Sequence, residues 1–315
     1  MGLFSRPASV RAPSLSVDVG GGLRLRTPII AASGTFGYGV EFAGLVDVQR
    51  LGAVVVKGIS LEPAPGHPPP RIVETPAGFL NAIGLQNIGV RAFVDEKLPA
   101  LRALGTRVIV NCWGNSEDEF AEVAARLSEA PGVDGIEVNV SCPNKLEWGR
   151  IIATDLRATE AVVRAVRANT RLPLWVKLSP NVTDIVEFAQ VAEEAGANSL
   201  SLINTLVGMA VDAETRRPIL SNVTGGLSGP AIKPVALHMV HRVARAVRVP
   251  VIGIGGIRSG EDVVEFLLCG ARAVQVGTAT FCDPSALVRI NNELAEYLVR
   301  HGVRDVNELV GALET

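Results

Sequence analysis

Eight short, continuous apolar runs set the limits on what this chain can fold into. They are "IIAASG" (29–34), "AVVVKGI" (53–59), "RVIVNCW" (107–113), "GIEVNVS" (135–141), "LWVKLSP" (174–180), "SLSLINT" (199–205), "VIGIGGI" (251–257) and "AVQVGTA" (273–279). A strand that does not alternate apolar with polar residues must bury both faces, as strands do in a parallel sheet covered by helices. Helical patterns lie between the runs, over 116–128, 155–169, 183–195, 231–248, 259–269 and 285–300. The first opens on Ser116 with Glu119 three residues later, the spacing of a capping box. Eight strands, most followed by a helix, predict an α/β chain folded as a (β/α)8 TIM barrel. An open, doubly wound sheet is the alternative. "LSVDV" and "LRLR" flank Gly20-Gly21-Gly22 and predict a short N-terminal β-hairpin. Residues 1–14 read as an extension and 15–315 as one barrel domain.

The chain has 315 residues, 48% of them hydrophobic, enough for one large core. A net charge of −2 gives no electrostatic basis for binding nucleic acid or an anionic membrane. The opening "MGLFSRPASVRAPSLS" has no apolar stretch of the secretory kind, and no run nears the roughly 18 apolar residues of a membrane span. Cys112, Cys142, Cys269 and Cys282 are far apart, with no CxxC pair, so no disulfide framework or complete metal or iron–sulfur set is encoded. Reduced thiols in a cytoplasmic protein are expected.

Several polar residues sit where a core is expected. Only five lysines accompany twenty-five arginines, yet Lys57 and Lys177 both interrupt apolar strands. Buried lysines are rare unless paired. Either they form ion pairs with Glu137 inside the barrel, or they face a ligand with negative or electron-rich atoms. Asn111, Asn139 and Asn204 close three strands, and Asn81 and Asn144 are expected in loops at the same end. Carboxamides both donate and accept, which suits a cyclic amide or imide. "GIGGI" (253–257), "VGTAT" (276–280) and "GGLSGP" (225–230) place glycines where such barrels bind phosphate. Two connections, 60–88 and 206–230, are too long for simple turns and read as walls of an active site. Phosphate site, lysines and carboxamides together point to flavin mononucleotide (FMN) beside a small ring.

The set "ASGTFGYG", "VKGIS", "NAIGLQN", "NVSCPN", "VKLSPNVTDI", "INTLVGM", "TGGLSGPAIKP", "GIGGI" and "AVQVGTA" resembles the catalytic subunits of the dihydroorotate dehydrogenase family, most closely the NAD-linked class 1B type. The likeness runs in order from about residue 23 to residue 284. It implies an FMN-bearing barrel that oxidises dihydroorotate to orotate in pyrimidine biosynthesis. By motif position it places FMN contacts at Ser33, Lys57, Gly58, Asn111, Asn139, Lys177, Ile203, Gly229, Gly255, Gly256, Gly277 and Thr278. Substrate contacts fall at Lys57, Asn81, Ala82, Ile83, Gly84, Leu85, Asn139, Asn144, Asn204 and Thr205, and the catalytic base at Cys142. No metal is expected on this chain. The same resemblance implies a dimer of this chain joined to a second subunit carrying FAD and a 2Fe–2S cluster, a heterotetramer that delivers electrons to NAD. After "SCPN" the family usually has a Gly-Gly pair, whereas this chain reads Trp148-Gly149. Other readings are a dihydropyrimidine dehydrogenase-like subunit acting on dihydrouracil or dihydrothymine, a flavin-free aldolase or isomerase using Lys177 as a Schiff-base amine, and a non-catalytic scaffold.

Overall fold

The computed structural model describes residues 12–141 and 152–314. Eight parallel strands close into a barrel: β1 (Ile29–Ala31), β2 (Ala53–Ile59), β3 (Arg107–Cys112), β4 (Gly135–Asn139), β5 (Leu174–Lys177), β6 (Ser199–Leu202), β7 (Val251–Ile254) and β8 (Ala271–Val276). The ring runs in chain order and closes where Val274, Gln275 and Val276 of β8 pair with Ile29, Ile30 and Ala31 of β1. Every predicted strand is present, though several end earlier than expected. Asn204 lies beyond β6 rather than inside it.

The outer faces of the strands are covered by α1 (Glu117–Glu129), α2 (Leu156–Asn169), α3 (Ile185–Glu194), α4 (Lys233–Ala244), α5 (Gly260–Leu268) and α6 (Ala286–Arg300). Each presents an apolar stripe inward; Phe120, Val123, Ala124 and Leu127 of α1 are buried while its acidic first turn is not. Ser116 caps α1 through Glu119 N–H at 3.2 Å, but the reciprocal bond is displaced, because the Glu119 carboxylate accepts from Asn115 N–H instead. A full capping box starts α5, between Ser259 and Asp262. One helical stretch was not expected: residues 89–103 turn helically between β2 and β3, with a wider-turn segment at Phe93–Lys97. Gly89 and the β-branched residues there mask the helical signal. Among the described residues no helix is long and apolar enough to cross a membrane.

The expected hairpin is present, Val17–Asp18 against Arg24–Leu25. It lies at the N-terminal end of the barrel, where the Val19 carbonyl accepts from the Ser199 hydroxyl. Gly20 is required there: its φ is +83° and a Cβ would sit 2.1 Å from the Asn198 carbonyl. Ser14 pairs with Asp305 and so ties the start of the described chain to the segment after α6.

The two long connections do wall the site, as expected, but they do so as strands rather than as loops. Together they build one antiparallel sheet, in the order Leu206–Met209, Thr224–Ser228, Gly78–Asn81, Ile72–Thr75. Asn81 therefore ends a strand, not a loop. The sheet has a small core of its own, in which Leu80, Ala82 and Leu220 are buried. Glycine-rich strands of this kind carry little β-propensity and are stabilised by pairing across connections far apart in sequence.

The barrel's tight packing is testable at β7. A Cβ on Gly253 would lie 2.3 Å from the Phe266 ring of α5. Gly253→Ala is expected to destabilise the fold by about 1–3 kcal/mol, measured by denaturant unfolding; an unchanged midpoint would contradict the packing described.

Candidate functional site

At the C-terminal end of the barrel, beneath the added sheet, lies a cavity of about 1240 Å³. That exceeds the roughly 300–1,000 Å³ usual for one small ligand and leaves room for two stacked molecules. Ser33, Lys57, Gly58, Asn111, Asn139, Lys177, Ile203, Gly229, Gly255, Gly256, Gly277 and Thr278 all line it. So do Asn81, Ala82, Ile83, Gly84, Leu85, Asn204 and Thr205. Residues spread over nearly 250 positions thus meet in one space. Cys142 and Asn144 lie outside the described residues, as does the Trp148-Gly149 pair.

Lys177, at the end of β5, is only 6% exposed. It pairs in register with Asn139 and Ser201 on the flanking strands. Its ammonium donates to Ser33 Oγ at 3.2 Å. Ser33 follows β1, on the opposite side of the ring, so the lysine side chain spans the barrel mouth. Lys57 and Gly58 are the two partly exposed positions of the otherwise buried β2. Burial, and then the nearby Arg71 guanidinium, push the Lys57 pKa below its ordinary value. Among the described residues neither lysine forms an ion pair. The alternative of an ion pair with Glu137 is not met, since that carboxylate is filled by Asn111 (2.8 Å), Ser201 (2.8 Å) and Gln275 (2.5 Å).

The carboxamides form a linked set. Asn204 Nδ2 donates to Ser141 Oγ, which donates to Asn139 Oδ1, each at 2.5 Å. Asn81 Nδ2 donates to the Gly226 carbonyl at 3.3 Å. Asn181 holds the exit from β6, donating to the Thr205 carbonyl and accepting from Val207 N–H, both at 2.9 Å. Ser141, Asn181 and Gln275 were not singled out from the sequence. Ser141 and Gln275 could have been, as polar residues within predicted barrel strands.

On the opposite wall, Gly255 and Gly256 follow β7 with φ of +134° and +74°. A Cβ on Gly256 would lie 2.9 Å from the Gly229 carbonyl. The two backbone segments approach so closely that no side chain fits between them. Such exposed backbone, beside the Thr278–Ser228 hydroxyl contact at 2.8 Å, fits an anionic phosphate. The residues present fit FMN: a cradle of bare backbone for phosphate, a spanning ammonium, and an Asn111 carboxamide oxygen that no hydrogen bond among the described residues reaches, on a residue lining a cavity that a polar ring could fill. A second cavity, about 360 Å³, opens near Arg26, Arg50 and Asn291. Its cations are satisfied, Arg26 by the Gln49 and Gly105 carbonyls and Arg50 by Asn292.

Residues 14–298 match the family model described as dihydroorotate dehydrogenase. This chain belongs to the dihydroorotate dehydrogenase family. A relative from Citrifermentans bemidjiense, named "Dihydroorotate dehydrogenase B (NAD(+)), catalytic subunit", is 58% identical over 305 residues, covering 97% of this chain and 100% of the relative. One of the same name from Geobacter metallireducens is 57% identical over 305 residues, with the same coverage. Among solved structures, Eimeria tenella DHODH in complex with ferulenol matches with a TM-score of 0.78 and 25% identity, over 98% of this chain and 91% of that one. The dihydroorotate dehydrogenase fold thus accounts for the whole described barrel.

Cys282 is exposed and also lines the cavity, whereas Cys112 differs from the site's expected thiol. Cys112 is buried, and burial together with Glu137 pushes its pKa far up, so it is no nucleophile or base. Lys57 yields a sharper test. Its folded-state pKa lies below the unfolded one, so stability rises with pH between the two values. Lys57→Met is therefore expected to raise the melting temperature of ligand-free protein by about 2 °C near neutral pH. The gain should shrink toward about pH 10. Calorimetry checks this; a fall in melting temperature would show that Lys57 is structurally paired.

Proposed function

We propose that this chain oxidises (S)-dihydroorotate to orotate in pyrimidine biosynthesis, with one FMN held in the cavity described. The observation that carries this is the combination of two lysines lacking carboxylate partners among the described residues with a linked set of carboxamides, in a chain 58% identical to a named dihydroorotate dehydrogenase catalytic subunit. FMN, when bound, supplies the hydride acceptor that no side chain can provide.

The chain's own residues do the rest. The glycine backbone at Gly229, Gly255, Gly256, Gly277 and Thr278 receives the phosphate. Ser33, Gly58, Asn111, Asn139 and Ile203 contribute to the ring pocket, and Lys177 lends positive charge there. Lys57 meets the substrate carboxylate, which compensates the burial that depresses its pKa. Asn81, Asn139, Asn144, Asn204 and Thr205 grip the amide edges of the substrate, with Ala82 to Leu85 closing one side. Fixing the ring in this way sets the reacting carbons at productive distance. Cys142 takes the proton from the carbon next to the substrate carbonyl. A free thiol has a pKa of about 8.5, so turnover limited by this step rises with pH on the alkaline side of neutrality.

The relatives' name, "catalytic subunit" of an NAD(+)-linked enzyme, supports a second subunit for this chain. The proposal places FAD and a 2Fe–2S cluster there, with two copies of each chain assembled, in the cytoplasm. The widely spaced cysteines of this chain provide no cluster set.

Anaerobic addition of dihydroorotate to FMN-loaded protein is expected to bleach its visible absorbance, while dihydrouracil does not. The isolated chain should turn over poorly with NAD. No bleaching, or equal bleaching by dihydrouracil, contradicts the substrate; robust NAD reduction by this chain alone contradicts the partner. Cys142→Ser is expected to lower the bleaching rate roughly 10²–10⁴-fold and to carry its rise to higher pH; an unchanged profile would remove Cys142 from the role of base.

A further inference from the structure

Beneath the candidate site lies a buried carboxylate that the reaction does not use. Glu137 is fully buried, two residues before Asn139 on β4 and so one layer deeper on the same face. No cation pairs with it among the described residues. Asn111 Nδ2 donates to its Oε1 at 2.8 Å, while Ser201 Oγ at 2.8 Å and Gln275 Nε2 at 2.5 Å donate to its Oε2. These donors come from β3, β6 and β8, so one carboxylate braces the barrel from four strands.

A carboxylate only accepts hydrogen bonds. Each carboxamide facing it must therefore present its NH2 group. Which way an amide points follows from its network, and here the network has a single solution. Both amide oxygens are turned away from Glu137. Asn111 Oδ1 lies beside Gly58, 2.8 Å from where a Cβ would stand, and no hydrogen bond in the described chain reaches it. Gln275 Oε1 also lacks a partner among the described residues, but it is packed away from the cavity surface. Asn111 lines the cavity. An acceptor left bare in this way is costly unless a ligand supplies the donor.

We propose that Glu137 is a positioning residue that fixes the hydrogen-bond polarity of the cavity floor, holding Asn111 as the acceptor for a ring N–H. This rests on the flavin reading of the site. Oxidised isoalloxazine carries one ring N–H, at N3, and it is that donor the floor reads. Free carboxamides could turn to suit either a donor or an acceptor; Glu137 removes the choice. A carboxylate with a merely structural role would change stability without changing which ring is preferred.

The test is a fluorescence-quenching titration of cofactor-free protein with FMN and with N3-methyl-FMN. Wild type is expected to bind FMN at least about tenfold more tightly, because a site built to pair an N–H rejects the analogue without it. Glu137→Gln puts an NH2 among the three donors and lets a carboxamide turn. Its preference is expected to fall below about threefold. Ser201→Ala removes a donor to the same carboxylate without touching either amide, and is expected to keep the wild-type ratio. Should Glu137→Gln not fold, Asn111→Ala, which deletes the acceptor, should lower the ratio as well. Glu137→Gln with an unchanged ratio, or wild type that binds both flavins equally, overturns the inference. Wild type that binds neither overturns it together with the flavin assignment beneath it.

Discussion

An ammonium that crosses the mouth of a barrel with one hydroxyl for company governs the rest of this structure. Lys177 is almost fully buried, yet its only hydrogen-bond partner in the described chain is Ser33 Oγ. Burying a cation without a counter-charge is unfavourable, and a fold that only needed stability would place leucine there. The arrangement makes sense if a ligand completes it. Lys57, also without a carboxylate partner among the described residues and with its pKa depressed, repeats the pattern on β2. Stability given up at both positions is the usual signature of a site rather than of a core.

The barrel makes such a concentration of polar groups affordable. Its strands are buried on both faces over most of their length, and the apolar cluster extends from the N-terminal hairpin to α6. The polar residues that face the cavity, Lys57, Asn111, Asn139 and Lys177, lie toward the C-terminal ends of their strands. There the chain leaves each strand, and side chains from opposite walls can meet. Glu137 with Gln275 and Lys177 with Ser33 are both contacts across the ring. The sheet formed by residues 72–81 and 206–228 then covers the opening. It contributes Asn81 and the segment up to Leu85 to the same cavity.

Much of this was legible in the sequence, for a physical reason. Non-alternating runs such as "AVVVKGI" betray parallel strands, and a lysine or asparagine inside one betrays the face that is not core. The site residues named from motifs that are described consequently meet in one cavity. What was hidden depends on pairing between distant segments. "TGGLS" has no intrinsic strand preference and becomes a strand only between Leu206–Met209 and Gly78–Asn81. Glu137 could be read as a partner for lysine, because charge is visible in a sequence and a carboxamide donor on the opposite strand, Gln275, is not. The helix over 89–103 was hidden behind a glycine and β-branched residues, and tertiary packing overrode that local preference.

Charge at the mouth, amides along the edges and bare backbone at the far wall amount to a site for an electron-accepting ring with a phosphate tail and a second, smaller ring. The family of this chain gives those parts their names, and the geometry gives the reason they are held where they are. The most direct test of the account is the two-electron reduction potential of bound FMN in wild type and in Lys177→Gln. If the ammonium faces the flavin and stabilises its reduced, negatively charged form, the potential falls by on the order of 30 mV or more in the variant, since about 30 mV is tenfold for a two-electron couple. A potential that is unchanged or rises would mean that Lys177 does not face the flavin, and the central claim would fail.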